Sequence, residues 1–259
     1  MLRRLRRAGA CRSFRLPLDA LSLDHQLLKP LLGLWSRIHW SSGDGMMPGD
    51  QLLAVYRLAA TWPTPGDIVE LGSWRGLTTS YLAAAAGLRG DCHVYAVDTF
   101  CGTKEGGSSY SGIERLGGET LTDFRRRVER AGHAERVTPL IGLTTDMARY
   151  YPGRKIAVLL IDADHSYGGV KADFETWRGH MAPGGLMIFH DYDMPDVSRF
   201  VDDVATKAPG ITVAPGPVVG NVFAVTVGDP AVSDDHVLAE NRERGGERCG
   251  EPVLASTGG

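Results

Sequence analysis

Residues 67–79, Asp-Ile-Val-Glu-Leu-Gly-Ser-Trp-Arg-Gly-Leu-Thr-Thr, constrain the fold more than any other stretch of the chain. Ile68, Val69 and Leu71 make a short apolar run, the signature of a buried strand. Gly72, Trp74 and Gly76 follow it. Leu77–Ala86 then reads as a helix beginning near Gly76. Strand, glycine turn and helix form the opening unit of a doubly wound α/β sheet. Such a turn gathers backbone N–H groups and the positive end of a helix around one point, where a small polar ligand can bind.

The details of the turn exclude one ligand class. A dinucleotide fingerprint needs glycine at the first, third and sixth positions, and here these are Gly72, Trp74 and Leu77. Glu70, inside the strand end, would repel a pyrophosphate. It suits a cationic group, such as the amine and sulfonium of S-adenosylmethionine (SAM). Residues 70–76, Glu-Leu-Gly-Ser-Trp-Arg-Gly, resemble the first motif of class I SAM-dependent methyltransferases. The tryptophan in the turn is similar to the branch containing the macrocin, novobiocin and cephamycin O-methyltransferases. The resemblance implies that Glu70, Gly72, Ser73, Trp74 and Gly76 line the SAM site.

A second strand is predicted over Cys92–Val97, ending in Asp98-Thr99. Asp98 follows Gly76 by 22 residues. An acid at about that spacing, at a strand's C-terminal end, suits a ribose diol. The resemblance gives Asp98 this role, with Thr99 beside it. A third strand, Val137–Ile141, ends at Gly142, and Thr144, Thr145 and Asp146 read as a helix start. In the resembling family the residues after this strand flank the adenine, which adds Gly142 to the cofactor set.

The chemistry is concentrated further along. Residues 156–161 are six apolar residues, a fully buried central strand, and Asp162, Asp164 and His165 follow at once. A helix is predicted from Tyr167 to about Met181. Pro183-Gly-Gly then reads as a turn into another buried strand, which ends in His190-Asp191. Parallel strands end side by side, so Asp162, Asp164, His190 and Asp191 should converge in the ligand crevice. Crowded carboxylates need a cation among them or a shared proton.

This stretch is similar to the divalent-metal site of the same O-methyltransferases. The resemblance implies Asp162, His190 and Asp191 as metal ligands. Several relatives carry a carboxylate where His190 stands, which makes an all-oxygen site for Mg²⁺. A histidine there admits Mn²⁺, Fe²⁺ or Zn²⁺ more readily, and His190 acting as a base is the alternative. Transfer of a methyl group from SAM to a hydroxyl needs an aligned oxygen nucleophile and a base for its proton. Asp164 is the first candidate base and His165 the second. His165 also has a plain alternative as a capping or packing residue.

The remainder of the chain is less specific. Residues 1–15 hold six arginines and no acid, and 1–16 read as a basic disordered leader, or as a segment for an acidic partner or anionic lipid. Residues 17–60 read as helical in at least two pieces, a cap over the site or a packing extension. Residues 39–47 form a polar loop between them. Residues 104–118, rich in Gly and Ser, read as a lid or a passive loop. Residues 119–132 read as a helix whose Arg125, Arg126, Arg127 and Arg130 form a solvated face. A helix over 193–206 and two strands, in 211–213 and 221–227, complete the sheet as an antiparallel hairpin. Residues 229–259 read as a disordered tail.

With 23% charged residues and a net charge of −3, nothing points to nucleic acid. None of the four cysteines pairs as Cys-x-x-Cys, which suits a reduced, cytoplasmic protein. No apolar run approaches the ~20 residues of a membrane span. The expected molecule is a seven-stranded, mostly parallel, doubly wound α/β domain over residues 17–228 with an N-terminal helical cap. Its expected activity is SAM-dependent O-methylation of a hydroxyl on a small molecule, with a sugar as the leading acceptor and a divalent metal as helper. Homo-oligomers are common among such relatives. The alternatives are a metal-independent methyltransferase with a histidine base and a nucleotide-cofactor oxidoreductase on a similar sheet.

Overall fold

A computed structural model describes residues 25–38, 47–101, 120–214 and 220–228. The leader, the start of the 17–60 segment, the 39–46 loop, the whole Gly/Ser-rich insertion 104–118 and the tail lie outside the described residues. The helices are α1 (His25–Ile38), α2 (Gly49–Thr61), α3 (Leu77–Arg89), α4 (Leu121–Ala131), α5 (Thr144–Met147), α6 (Tyr167–Trp177) and α7 (Pro195–Asp203). The strands are β1 (Asp67–Leu71), β2 (Val94–Asp98), β3 (Val137–Ile141), β4 (Ile156–Ile161), β5 (Met181–Phe189), β6 (Ile211–Val213) and β7 (Phe223–Val227). They form one seven-stranded sheet in the order β3-β2-β1-β4-β5-β7-β6. The five strands β3 to β5 run parallel, and β7 and β6 close the sheet antiparallel. This is the expected doubly wound architecture.

Side chains alternate between two cores, because successive strand residues point to opposite faces, except at the irregular start of β4, where Ala157 and Val158 share one core. Ile68, Val94, Val158, Leu160, Leu186 and Ile188 face one core with α1 to α4. Val69, Leu71, Leu159, Ile161, Met187 and Phe189 face the other, with Val170, Phe174 and Trp177 of α6 and Phe200 of α7. Helix α3 is buried on every side from Leu77 to Ala86. Its alanine run lets it fit between the sheet and α2, with α1 and α4 flanking it.

Three expectations change. The Pro183-Gly-Gly segment is part of β5 rather than a turn before it. Ile156 pairs with Met181 and Val158 with Leu186, so the extra residues form a bulge in β5. Arg127 is not on a solvated face. It is fully buried, and its Nη1 donates to the carbonyl of Arg75 at 3.2 Å. The helix from Tyr167 ends at Trp177, and a short 3-10 turn over Arg178–His180 leads into β5.

Candidate active site

The ends of β1, β2, β4 and β5 open into one crevice, where the strand order reverses between β1 and β4. Among the described residues, three non-glycines take a positive φ: Trp74 (47°), Phe100 (58°) and Asp191 (53°). They stand just past the ends of β1, β2 and β5. Such backbone costs on the order of 1–3 kcal/mol per residue and clusters at functional sites. Gly72 also has φ +88°, and a Cβ there would lie 2.0 Å from the Asp162 carbonyl oxygen. No side chain fits at the point where the ends of β1 and β4 touch.

On the β1–β2 side, Glu70 is completely buried beneath α3. The Thr79 hydroxyl donates to its Oε2. Its Oε1 is buried and finds no partner of good geometry among the described residues, although the Ser73 hydroxyl stands close enough to lower the carboxyl's pKa. Burial pushes the carboxyl up to about 8, and the Thr79 hydrogen bond only partly opposes this. An orphaned buried carboxylate oxygen is a receptor for a cation or a donor. The fit to the ammonium or sulfonium of SAM rests on this atom.

Asp98 has a role that sequence reasoning missed. Its Oδ2 accepts from the Trp74 N–H at 2.7 Å and its Oδ1 from the Phe100 N–H at 2.6 Å. It ties together the two strained turns, with a further backbone hydrogen bond from Ser73. Burial raises its pKa against the pull of these amides. Ser73 is buried, and its carbonyl accepts from the Gly76 N–H at 2.8 Å. Thr99 Oγ1 accepts from the Cys101 N–H at 3.3 Å. The Gly142 N–H donates to the Asp98 carbonyl at 3.0 Å, which ties the exit of β3 to that of β2. Ile141 and Leu143 flank Gly142 as exposed apolar side chains.

On the β4–β5 side, His190 Nδ1 lies 3.0 Å from Asp162 Oδ1 and 3.1 Å from Asp191 Oδ2. His165 Nε2 lies 2.9 Å from Asp191 Oδ2 and 3.7 Å from Asp162 Oδ1. Asp162, His165 and Asp191 offer ligand atoms that all lie within 4.8 Å of one another. The donor set of two carboxylates and imidazole nitrogen therefore fits a divalent cation. Without a cation, the two carboxylates raise the pKa of both imidazoles, and the imidazoles hold Asp191 well below the usual carboxylate range despite its burial.

Asp164 does not join this group. Its Oδ1 accepts from the Ser166 N–H at 2.8 Å, and its carboxyl abuts Gly169 at the start of α6. Ser166 caps the same helix through Gly169 N–H. The structure thus places His165 at the cluster and Asp164 in a local turn. Sequence reasoning also missed two amides. Asn221 Nδ2 donates to Asp191 Oδ1 at 2.8 Å and to Asp193 Oδ1 at 3.0 Å. Gln51, from α2, meets His190 Nε2 at 2.8 Å. Both contacts are long-range, and no local pattern announces them.

Residues 69–192 match a family described as "Methyltransferase domain", Methyltransf_24. A Streptomyces olivaceus protein, "8-demethyl-8-(2,3-dimethoxy-alpha-L-rhamnosyl)-tetracenomycin-C 4'-O-methyltransferase", is 29% identical over 140 residues, covering 49% of this chain. The chain spans about half of that relative's length, 53%. Among solved structures, the O-methyltransferase NovP superposes with a TM-score of 0.60 at 20% identity, covering 76% of this chain and 88% of NovP. The O-methyltransferase TomG from Streptomyces achromogenes, solved with SAM, gives 0.55 at 17% identity, covering 80% and 91%. No helix among the described residues is long and apolar enough to cross a membrane. The glycine turn, the helix after it and the strand ends that form the reversal crevice fall within the segment that matches this methyltransferase-domain family.

Proposed function

We propose that this chain is a SAM-dependent O-methyltransferase that methylates a hydroxyl of a small molecule, a sugar or glycosylated natural product, with the help of a divalent metal. One observation carries the reading. A turn with an orphaned carboxylate, Glu70, and a strand-end acid, Asp98, stands beside a cluster of two carboxylates and two imidazoles in the same crevice. SAM, when bound, supplies an electrophilic methyl carbon. Glu70 Oε1 would hold a cationic group of it, Asp98 the ribose hydroxyls, and Ile141 and Leu143 the adenine face. Such apolar side chains left exposed beside a crevice suit a planar ring.

Asp162 and Asp191 would hold the cation, together with His190 or His165. A divalent cation, when bound, lowers the pKa of a hydroxyl and orients it. His165 stands at the mouth of the cluster, one-third exposed, and is the base that takes the acceptor's proton. Asp164 orients the loop that carries His165. The sugar acceptor is supported by the relative named for methylating a rhamnosyl group. We take residues 17–228 as the functional unit, with 17–60 as its cap.

A second reading keeps His165 as the base without a metal; its contacts with Asp162 and Asp191 raise the imidazole pKa to about 10, so this reading expects turnover that rises with pH into the alkaline range. The test is methyl transfer from isotopically labelled SAM to a panel of glycosylated polyketides. It is read by mass spectrometry with EDTA, Mg²⁺ or Mn²⁺. Metal-stimulated labelling supports the proposal, and full labelling in EDTA selects the second reading. Absence of SAM binding by calorimetry would refute both.

A further inference from the structure

His190 is held from outside the acidic cluster by a residue 139 positions away in sequence, Gln51. Gln51 belongs to α2, is 7% exposed, and places Oε1 2.8 Å from His190 Nε2. Room for its amide comes from Gly220. With φ +59° there, a Cβ would lie 2.6 Å from Gln51 Nε2. The other ring nitrogen, Nδ1, faces Asp162 Oδ1 at 3.0 Å and Asp191 Oδ2 at 3.1 Å.

We propose that Gln51 is a positioning residue that keeps a proton on His190 Nε2 and so commits Nδ1 to the Asp162–Asp191 cluster. This inference rests on the metal-assisted reading above. A carboxamide oxygen accepts and cannot donate, so the nitrogen it meets must carry N–H. A histidine with Nε2–H has only Nδ1 left as a ligand atom, and the hydrogen bond at the far nitrogen is what selects the metal-facing one. Without that acceptor, a buried Nε2–H would be left unsatisfied. The ring would gain by moving its proton to Nδ1, between the two carboxylates, and the nitrogen would then be blocked as a ligand. The helical layer therefore reaches into the chemistry through one amide, rather than only covering the sheet.

The experiment uses the full chain, labelled with ¹⁵N-histidine, and long-range ¹H–¹⁵N spectra with and without Mg²⁺. Mn²⁺ and SAM binding are followed by calorimetry on the wild type, Gln51→Met and Gln51→Glu. The expected wild type keeps His190 Nε2–H in both states and has an unprotonated Nδ1 with Mg²⁺. Gln51→Met, similar in size but without the acceptor, should bind Mn²⁺ about 10–100-fold more weakly with SAM affinity unchanged. Gln51→Glu, which keeps an acceptor, should restore the Nε2–H signal. An unprotonated Nε2 in the wild type, or equal Mn²⁺ affinity in Gln51→Met, overturns the proposal. A wild type that binds no Mn²⁺ sinks the metal reading, and the role of Gln51 is then decided on the neutral ring at high pH, which should carry its proton on Nε2 in the wild type and on Nδ1 in Gln51→Met; the same pattern in both overturns the proposal. Should Gln51→Met fail to fold, the wild-type spectrum and Gln51→Glu decide between the two protonation patterns.

Discussion

At the scale of the residue, Glu70 sets burial against charge. In the free protein its pKa is pushed up to about 8, so at neutral pH the carboxyl is mostly protonated. A cationic ligand needs the carboxylate, and binding below that pH must therefore release a proton. SAM affinity should rise with pH toward 8, by at most about tenfold per unit, and level off above it. The ligand's own α-amine titrates near 8 as well, so the comparison with Glu70→Gln isolates the protein's share. Calorimetry in two buffers of different ionisation enthalpy counts the protons. Proton release identical in Glu70→Gln would remove Glu70 from the cation site. A second contrast separates the two base candidates. His165→Ala should lower turnover by about 10²–10⁴-fold. Asp164→Ala should chiefly loosen the start of α6, at on the order of 1 kcal/mol, measured by urea unfolding. The types of the site residues were legible in the sequence because acids and histidines follow apolar strands directly. Their division of labour was not. Asp164 has a backbone N–H two residues ahead, and an Asx turn to Ser166 competes for its carboxylate.

At the scale of the element, β1 to β4 were legible because each is a largely apolar run closed by a glycine or an acid. β3 and β4 fall on their expected residues. The bulge at Pro183-Gly-Gly was not legible, since glycine and proline mark turns and bulges alike. Arg127 was misjudged because a run of arginines looks solvated until Phe124 and Val128 set the helix's rotation. Helix α6 hides another charge. Asp173 is 1% exposed, its Oδ1 accepts from the Thr144 hydroxyl of α5, and its Oδ2 has no hydrogen-bond partner among the described residues. Burial raises its pKa to about 6, with Thr144 pulling the other way. The folded state therefore binds more protons than the unfolded state between about pH 4 and 6. Stability is fullest below that window and falls as pH rises through it, by on the order of 2–3 kcal/mol. Asp173→Asn should abolish this part of the slope and gain stability at pH 7.5 relative to pH 4.5. Urea unfolding at the two pH values checks it. A wild type and variant with parallel pH profiles would show that Asp173 ionises in the fold without penalty.

At the scale of the molecule, the two halves of the crevice sit on different strand pairs but share the backbone where Gly72 meets Asp162. Each ligand should stabilise the fold by mass action, about 2.7 kcal/mol at a concentration of 100 times its Kd. For a chain of this size that corresponds to roughly 5–10 °C in Tm. On the proposed function, Glu70 and Asp98 would serve the cofactor, and Asp162, His165, His190 and Asp191 the metal, so the shifts should be separable by mutation. Asp98→Ala should lose the SAM shift and keep the Mn²⁺ shift. Asp191→Ala should do the reverse. Melting of the three proteins after EDTA treatment, with SAM, with Mn²⁺ and with both, checks this. The wild-type pair should match or exceed the sum of its single shifts, because a cation fixing Asp162 also fixes the carbonyl against which the SAM turn is packed. A sum larger than the parts would be a coupling free energy between the halves, carried by the β1–β4 contact. Loss of both shifts in either variant would mean that the crevice is one cooperative site, and that no residue in it acts for a single ligand.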